Sequence, residues 1–367
     1  MLFNKDGDLY FQDGTNSPVK LTHIGKRYLS YAISDDNQKV VFSRGDGNEY
    51  SINADGTQEK IIIRNMANDW PPAPLHPGIN KAIVGFVPST HQLLFETALC
   101  ESQKYESPCP TSLFLADADT GVNKKLGDFG LSLQQDSMNK NVGVSPDGKM
   151  VAVGTIDGVD ILTMDGNVVR HNVLPFKPST STVLFPSLFW LPDSSGLIVA
   201  LPNTFYNSNA WSNFPASTIW RYTIDGNGAV QIPFDPAPML DTFQVSPDGK
   251  WIVYGGLAND DMLYLGDLTD GHIQELGSAY TFEVLWSPDS RHFIATTAES
   301  FLGAINSPTL TPICRLDEWI DAYHFTCLNA EGNLSRVRMA EFVAGVIRIY
   351  DLGFDKAIEN SVFIKPK

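Results

Sequence analysis

Long apolar runs, clustered basic residues and cysteine are scarce in this chain, and each scarcity removes a class of function. No uninterrupted apolar stretch approaches the roughly 18 residues that a membrane-crossing helix requires, so no transmembrane segment is expected. Residues 1–20 lack the charged start and apolar stretch of a signal peptide; whether a leader, an anchor or a further domain precedes residue 1 stays open. Lys and Arg together number 26 against 42 acidic residues, a net charge of −16, and no basic cluster breaks the pattern. Nucleic acid binding depends on such clusters to neutralise phosphate, so nucleic acids and other polyanions are not expected as partners. There is no His-Glu-x-x-His, no Cys-x-x-Cys and no phosphate-cradling glycine loop. The seven histidines are scattered, and His76 and His324 are the two whose positions invite chemistry.

What the chain has in quantity is repetition. Ser145-Pro146-Asp147-Gly148-Lys149 returns as Ser246-Pro247-Asp248-Gly249-Lys250 and, altered, as Ser287-Pro288-Asp289-Ser290-Arg291. Apolar runs follow each copy, Met150 to Val153, Trp251 to Tyr254 and His292 to Ala295, which marks a hairpin between two strands. Proline sets φ at the first central turn position, and Asp and Gly accept the tight or left-handed geometry that follows. Weaker copies stand at Leu191-Pro192-Asp193-Ser194, Val87-Pro88-Ser89-Thr90 and Ser34-Asp35-Asp36-Asn37. The spacing of these turns is roughly 40 to 60 residues, the blade period of a propeller. About twenty residues after most of them comes a second turn of Asp-Gly type, as at Asp55-Gly56, Asp165-Gly166, Asp225-Gly226 and Asp270-Gly271. One unit therefore reads strand A, Ser-Pro-Asp-Gly turn, strand B, variable loop, strand C, Asp-Gly turn, strand D, and four such antiparallel strands make one blade.

The pattern VSPDGKWIVYGG followed by DMLYLGDLTDGHIQEL resembles the TolB-type, WD-repeat-like β-propeller family, which includes the propellers of prolyl oligopeptidases and dipeptidyl peptidases. The likeness runs along nearly the whole chain. It implies a fold and a scaffold role of the periplasmic TolB kind, and it does not extend to the peptidases' hydrolase half, whose Gly-x-Ser-x-Gly elbow is missing here. A single propeller domain over 1–367 is expected, with a partial blade at 1–24 and full repeats at about 28–65, 78–128, 138–176, 183–235, 241–277 and 279–317. A closing repeat at 319–367 completes it. The N-terminal segment reads as strands B, C and D without an A. Merging it with C-terminal strands gives seven four-stranded blades, a closure that removes exposed edges; keeping the ends separate gives eight.

Cys100 and Cys109 flank a polar loop between strands B and C, and a bridge there would close about ten residues and contribute roughly 2 to 3 kcal/mol. Such a bridge points to a periplasmic or extracellular protein, a lipoprotein or surface ectodomain whose signal has been removed, with a cytoplasmic location left open. Cys314 and Cys327 read as buried and unpaired on adjacent blades, their pairing also open.

Both kinds of turn fall at one face of a propeller, and the B-to-C and D-to-A loops fall at the other, which carries the insertions. Residues 66–78 present Trp70 and His76; residues 101–108 include Tyr105; residues 202–215 interleave Phe205, Tyr206, Trp211 and Phe214 with Asn and Ser. Aromatic faces beside amides suit a peptide hot spot or sugar stacking, or else fold back to cover the blade. A protein or peptide partner is favoured and carbohydrate is the second choice.

Acidic pairs such as Asn259-Asp260-Asp261 have oxygen ligands at calcium-like spacing, but none completes an EF-hand, so no cofactor is expected and calcium is only a weak candidate. Asp241, Glu283 and Asp321 are placed near the starts of A strands, where with His324 they could line the channel mouth. That ring is the basis of the alternative, an extracytoplasmic enzyme acting on carbohydrate or phosphoester; the preferred reading is a non-catalytic binding propeller. Trp190, Trp220, Trp251 and Trp286 lie in strand patterns beside turns and are expected to pack between blades.

Overall fold

The computed structural model of the chain describes residues 2–5, 8–12, 17–23, 31–44, 46–64, 79–99, 111–129, 141–155, 157–175, 186–202, 217–225, 228–235, 237–238, 243–255, 262–278, 283–296, 300–313, 315–319, 321–331, 334–343, 346–351 and 359–362. Among the described residues the protein is all-β. The first strands are β1 (Leu2–Lys5), β2 (Asp8–Phe11) and β3 (Val19–Lys20). Then come β4 (Tyr31–Ile33), β5 (Lys39–Ser43), β6 (Glu49–Asn53) and β7 (Lys60–Ile63), followed by β8 (Ile79–Phe86), β9 (Gln92–Leu99), β10 (Thr111–Asp117) and β11 (Asn123–Phe129). The next two groups are β12 (Val142–Val144), β13 (Met150–Gly154), β14 (Val159–Thr163) and β15 (Val168–Arg170), then β16 (Ser187–Trp190), β17 (Gly196–Pro202), β18 (Ser217–Thr223) and β19 (Gly228–Ile232). They are succeeded by β20 (Phe243–Val245), β21 (Trp251–Gly255), β22 (Met262–Asp267), β23 (Ile273–Ser278), β24 (Glu283–Trp286), β25 (His292–Thr296), β26 (Ser300–Ala304) and β27 (Ser307–Ile313). The last five are β28 (Arg315–Trp319), β29 (His324–Glu331), β30 (Leu334–Val343), β31 (Val346–Asp351) and β32 (Glu359–Val362).

These strands form four-stranded antiparallel sheets, seven of them from four consecutive strands each and one ordered β3-β2-β1-β32. The two ends of the chain thus merge, as the missing A strand of residues 1–24 requires: Leu2 pairs with Val362 and Phe3 with Ser361. Among the described residues the sheets number eight. The expectation of seven took the merged ends for the last repeat, whereas Arg315–Trp319 supplies that repeat with an A strand of its own and frees β32 to close the first sheet. Arg-Leu-Asp-Glu-Trp carries three charges in five residues and lacks the apolar signature by which the other strands are recognised.

Two compact units divide the chain, Lys26–Gln231 and Met1–Gly25 with Ile232–Lys367. Inside each, the second and third strands of a sheet are the buried ones. All five residues of β5 and all seven of β17 are buried, whereas every residue of the outer strand β15 is exposed. A sheet covered on both faces reads as a continuous apolar run rather than an alternation, which is why Met-Val-Ala-Val-Gly and Trp-Ile-Val-Tyr-Gly look as they do.

The cores lie between consecutive sheets. In the unit Lys26–Gln231, Val41 and Ile62 of the β4–β7 sheet meet Leu93, Phe95 and Ala116 of β8–β11. Leu94, Leu113 and Leu115 on the other face of β8–β11 meet Val142, Val151 and Val153, and Ala152, Val159 and Ile161 meet Leu188, Leu197 and Val199. The other unit repeats the scheme, with Val253, Leu263 and Leu265 against Val284, Phe293 and Ala295, and Ile294 and Leu302 against Trp319 and Phe325. Tryptophans add a directional link. The indole N–H of Trp190 donates to the Gly143 carbonyl at 2.9 Å, that of Trp286 to Gln244 at 3.1 Å and that of Trp319 to Leu285 at 3.0 Å. Each bond runs from the end of one first strand to the middle of the preceding first strand, pairing a carbonyl on an edge that has no neighbouring strand. Trp220 differs: it packs in its sheet's core and donates to Thr218 at 3.0 Å.

Candidate functional site

The sheets of four consecutive strands have two ends that can be told apart by their connections. At one, the turn end, first-to-second and third-to-fourth strand connections are short and closed by hydrogen bonds. Gly148, Ser194, Gly249 and Ser290 each donate their N–H to the carbonyl three residues back at 2.8–2.9 Å. The serine that opens the repeat explains itself: buried Ser145 donates its hydroxyl to Asp147 at 2.7 Å and accepts the Met150 N–H at 2.9 Å, and Ser246 and Ser287 do the same for their turns. Gly166 and Gly271 occupy left-handed φ of +88° and +79°, and a Cβ there would meet the Leu126 carbonyl of the preceding sheet at 2.3 Å and the Pro233 carbonyl at 2.4 Å.

Between the β4–β7 and β8–β11 sheets the turn end holds a charged network that sequence reading passes over. His91, after the Pro88 turn, sets Nδ1 2.7 Å from Asp119 and Nε2 3.0 Å from Asp36. Lys39, only 5% exposed, reaches Asp119 at 2.7 Å and Asn53 at 2.6 Å. Ser34 and Gln38 hold the other oxygen of Asp36. Asp36, His91 and Asp119 come from three different turns, so no local spacing announces them.

The opposite, loop end is where second-to-third and fourth-to-first connections leave the strands, the long ones at 64–78, 100–110 and 203–216 among them. On the β4–β7 sheet, Arg44 lies over the Tyr50 ring at 3.9 Å and pairs with Glu59 at 2.5 Å, while the Tyr50 hydroxyl donates to Asp46 at 2.6 Å. Lys81, on the first strand of the next sheet, donates to the Gly47 and Arg64 carbonyls at 2.5 and 3.1 Å. Burial pushes the Glu49 carboxyl up, against the pull of Ser43 and Lys81, and pushes the Lys81 ammonium down. Glu96, 8% exposed on β9, stands opposite Leu113 and Ala82 and shares their face of the sheet with Leu94. Burial alone raises its carboxyl to about 7, so near neutrality it is poised to give or take a proton. Arg44 Nε, Glu49 Oε2, Asn172 Oδ1 and Ser217 Oγ, near this end, and Glu96 Oε2, in the middle of β9, are buried without a hydrogen bond.

The sequence-derived site residues fare unevenly. Trp70, His76, Cys100, Tyr105, Cys109, Phe205, Tyr206, Trp211, Phe214, Asp241, Asn259, Asp260, Asp261 and Cys314 lie outside the described residues. Glu283 is the exposed first residue of β24, at the loop end. Asp321 is not at the start of a first strand: β28 ends at Trp319, and Asp321 sits in the following turn, at the opposite end from Glu283. The expected ring therefore loses Asp321, because the charged β28 was not recognised as the first strand. Asp321 accepts the Tyr323 and His324 N–H groups at 2.8 and 2.9 Å, the part that Asp147 plays in its own turn, and His324 Nδ1 closes on it at 2.8 Å. Burial raises the Asp321 carboxyl, but these bonds outweigh it and hold the group below the usual carboxylate range. Among the described residues no cluster of three or more His, Cys, Asp or Glu forms a metal-binding set.

No family model and no curated sequence matches the chain. Solved structures do, at low identity. Hsv2 of Kluyveromyces marxianus aligns with a TM-score of 0.52 at 10% identity, over 90% of this chain and 98% of that one. An oligogalacturonate lyase from Vibrio parahaemolyticus gives 0.51 at 16%, over 79% and 80%, and a eukaryotic initiation factor 0.51 at 10%, over 95% of both. The fold is a β-propeller. Its blades are the four-stranded sheets, and identity this low carries the architecture and nothing of the chemistry.

Proposed function

We propose that this chain is a TolB-type binding propeller, working outside the cytoplasm, that receives a protein or peptide at the loop end of its blades. The contrast between the two ends carries the reading. The Ser-Pro-Asp turns bond their own polar atoms, whereas Glu49, Glu96 and Ser217 leave buried oxygens without partners in the sheets that the segments carrying Trp70, Tyr105 and Trp211 join. An unpartnered buried polar atom costs roughly 1 to 3 kcal/mol, and chains keep such costs chiefly where function needs them. Peptides selected from a random display library on the wild-type chain should lose about tenfold or more in affinity to Trp211→Ala, the scale of an aromatic hot spot. Peptides that bind the variant equally, or an empty selection, would overturn the proposal.

One observation favours a second reading, action on carbohydrate: Glu96, with its carboxyl near neutrality, has the protonation balance of a general acid or base. New chain ends released from a polysaccharide panel by the wild type and not by Glu96→Gln would establish it. The location rests on the Cys100–Cys109 bridge, which intact mass after alkylation with and without reductant detects as a two-thiol difference.

A further inference from the structure

His91 is held at both ring nitrogens by carboxylates from different turns, Asp119 of its own sheet and Asp36 of the β4–β7 sheet. Only imidazolium has an N–H for each. Neutral imidazole has one N–H and one lone pair, so one carboxylate would then face a lone pair across 2.7 or 3.0 Å. The surrounding charges are fixed on the carboxylate side of this contact. Lys39 of β5 holds the far oxygen of Asp119, and Lys60 of β7 donates to the Asp119 carbonyl. Asp117 accepts the Asp119 and Thr120 N–H groups. Asp35 takes the Ser89 N–H at 3.0 Å, a second tie between the same two turns, and Asp55 lies within electrostatic reach of Lys39.

We propose that His91 is a proton-operated clamp that fastens the turn ends of the β4–β7 and β8–β11 blades when protonated and releases one of its two carboxylates when neutral. Burial lowers the affinity of the ring for a proton, but its bonds to Asp119 and Asp36 outweigh that and raise it above its ordinary value of 6.5. The clamp's contribution to stability is therefore complete below about pH 6.5 and is lost as pH rises through the folded-state value.

Thermal unfolding of the full chain and of His91→Gln across about pH 5 to 9 tests this. The wild type should melt higher at the acid end, and the difference should shrink toward zero as pH rises. A difference constant with pH, or one that grows, overturns the clamp. Where His91→Gln does not fold, NMR titration of the assigned His91 ring decides. Its midpoint should lie above 6.5 in the wild type and fall in Asp36→Asn and Asp119→Asn. A midpoint at or below 6.5, or one that neither variant moves, overturns the proposal.

Discussion

The turn end and the loop end of the same strands treat polar atoms in opposite ways. Ser145 and Ser246, 0% and 3% exposed, have hydroxyls that both donate and accept, while Glu96 at 8% leaves a carboxylate oxygen unmatched. The serines and Glu96 are alike in being buried, so the difference between them is one of partners. The letters that recur from repeat to repeat close the turn end, and the other end varies.

The largest expected effect tests whether the turn end is truly structural. Trp286→Ala removes a ring that packs on Phe293 at 5.2 Å and an indole N–H that bonds the neighbouring strand. It should destabilise by about 3 to 4 kcal/mol in chemical denaturation, the range of large aromatic truncations. Trp286→Phe, which keeps most of the ring and loses only the bond, should cost about 1 kcal/mol. Equal losses in the two variants would mean that the bond, and not the packing, joins these blades.

At the loop end the sign reverses. The Glu96 carboxyl goes from an ordinary 4.5 to about 7 on folding, so the folded state holds its proton more tightly than the unfolded one. Below pH 4.5 both states are protonated and burial has no ionisation cost. Between 4.5 and 7 the unfolded state releases its proton first, and stability falls with pH at about 1.4 kcal/mol per unit. Glu96→Gln should therefore stabilise the protein by about 3 kcal/mol at pH 8 and by almost nothing at pH 4, read from urea midpoints. A destabilised variant at pH 8 would show that the carboxylate is engaged after all. Ser145→Ala, the turn-end counterpart, should cost about 2 kcal/mol at either pH, since the hydroxyl's bonds to Asp147 and to the Lys149 and Met150 N–H groups are lost in a buried site.

How much of this was legible in the sequence follows from how local each signal is. The Ser-Pro-Asp-Gly turns and the apolar runs after them are contained in about ten residues, and these turns join first to second strands in the structure. The strand Arg315–Trp319 was missed because its charges hide its periodicity, and that omission alone shifted the blade count and misplaced Asp321. His91 was invisible for another reason: its partners arrive from turns far away in sequence, Asp119 brought near by strand pairing within its own sheet and Asp36 by the stacking of the neighbouring blade. Glu96 lies in a run, Leu-Leu-Phe-Glu-Thr-Ala-Leu, that reads as an ordinary strand; a carboxylate amid buried residues was the available clue.

The smallest effect separates two readings of the altered turns. Ser290 stands where Gly249 stands in the preceding blade, at φ of +61°, a left-handed conformation that favours glycine. Its hydroxyl accepts the Asp248 N–H of that blade at 2.9 Å, and Ser194 does the same for Asp147 at 3.0 Å. If Ser290 were a decayed glycine, Ser290→Gly would stabilise the protein by relieving strain. If the hydroxyl is a tie between blades, the strain relieved and the bond lost are each about 1 kcal/mol, so Ser290→Gly should be close to neutral. Ser290→Ala, which keeps the strain and loses the bond, should cost about 1 kcal/mol. A gain of about 1 kcal/mol in the glycine variant, beside a neutral alanine one, would show that the turn end is closed by its backbone alone.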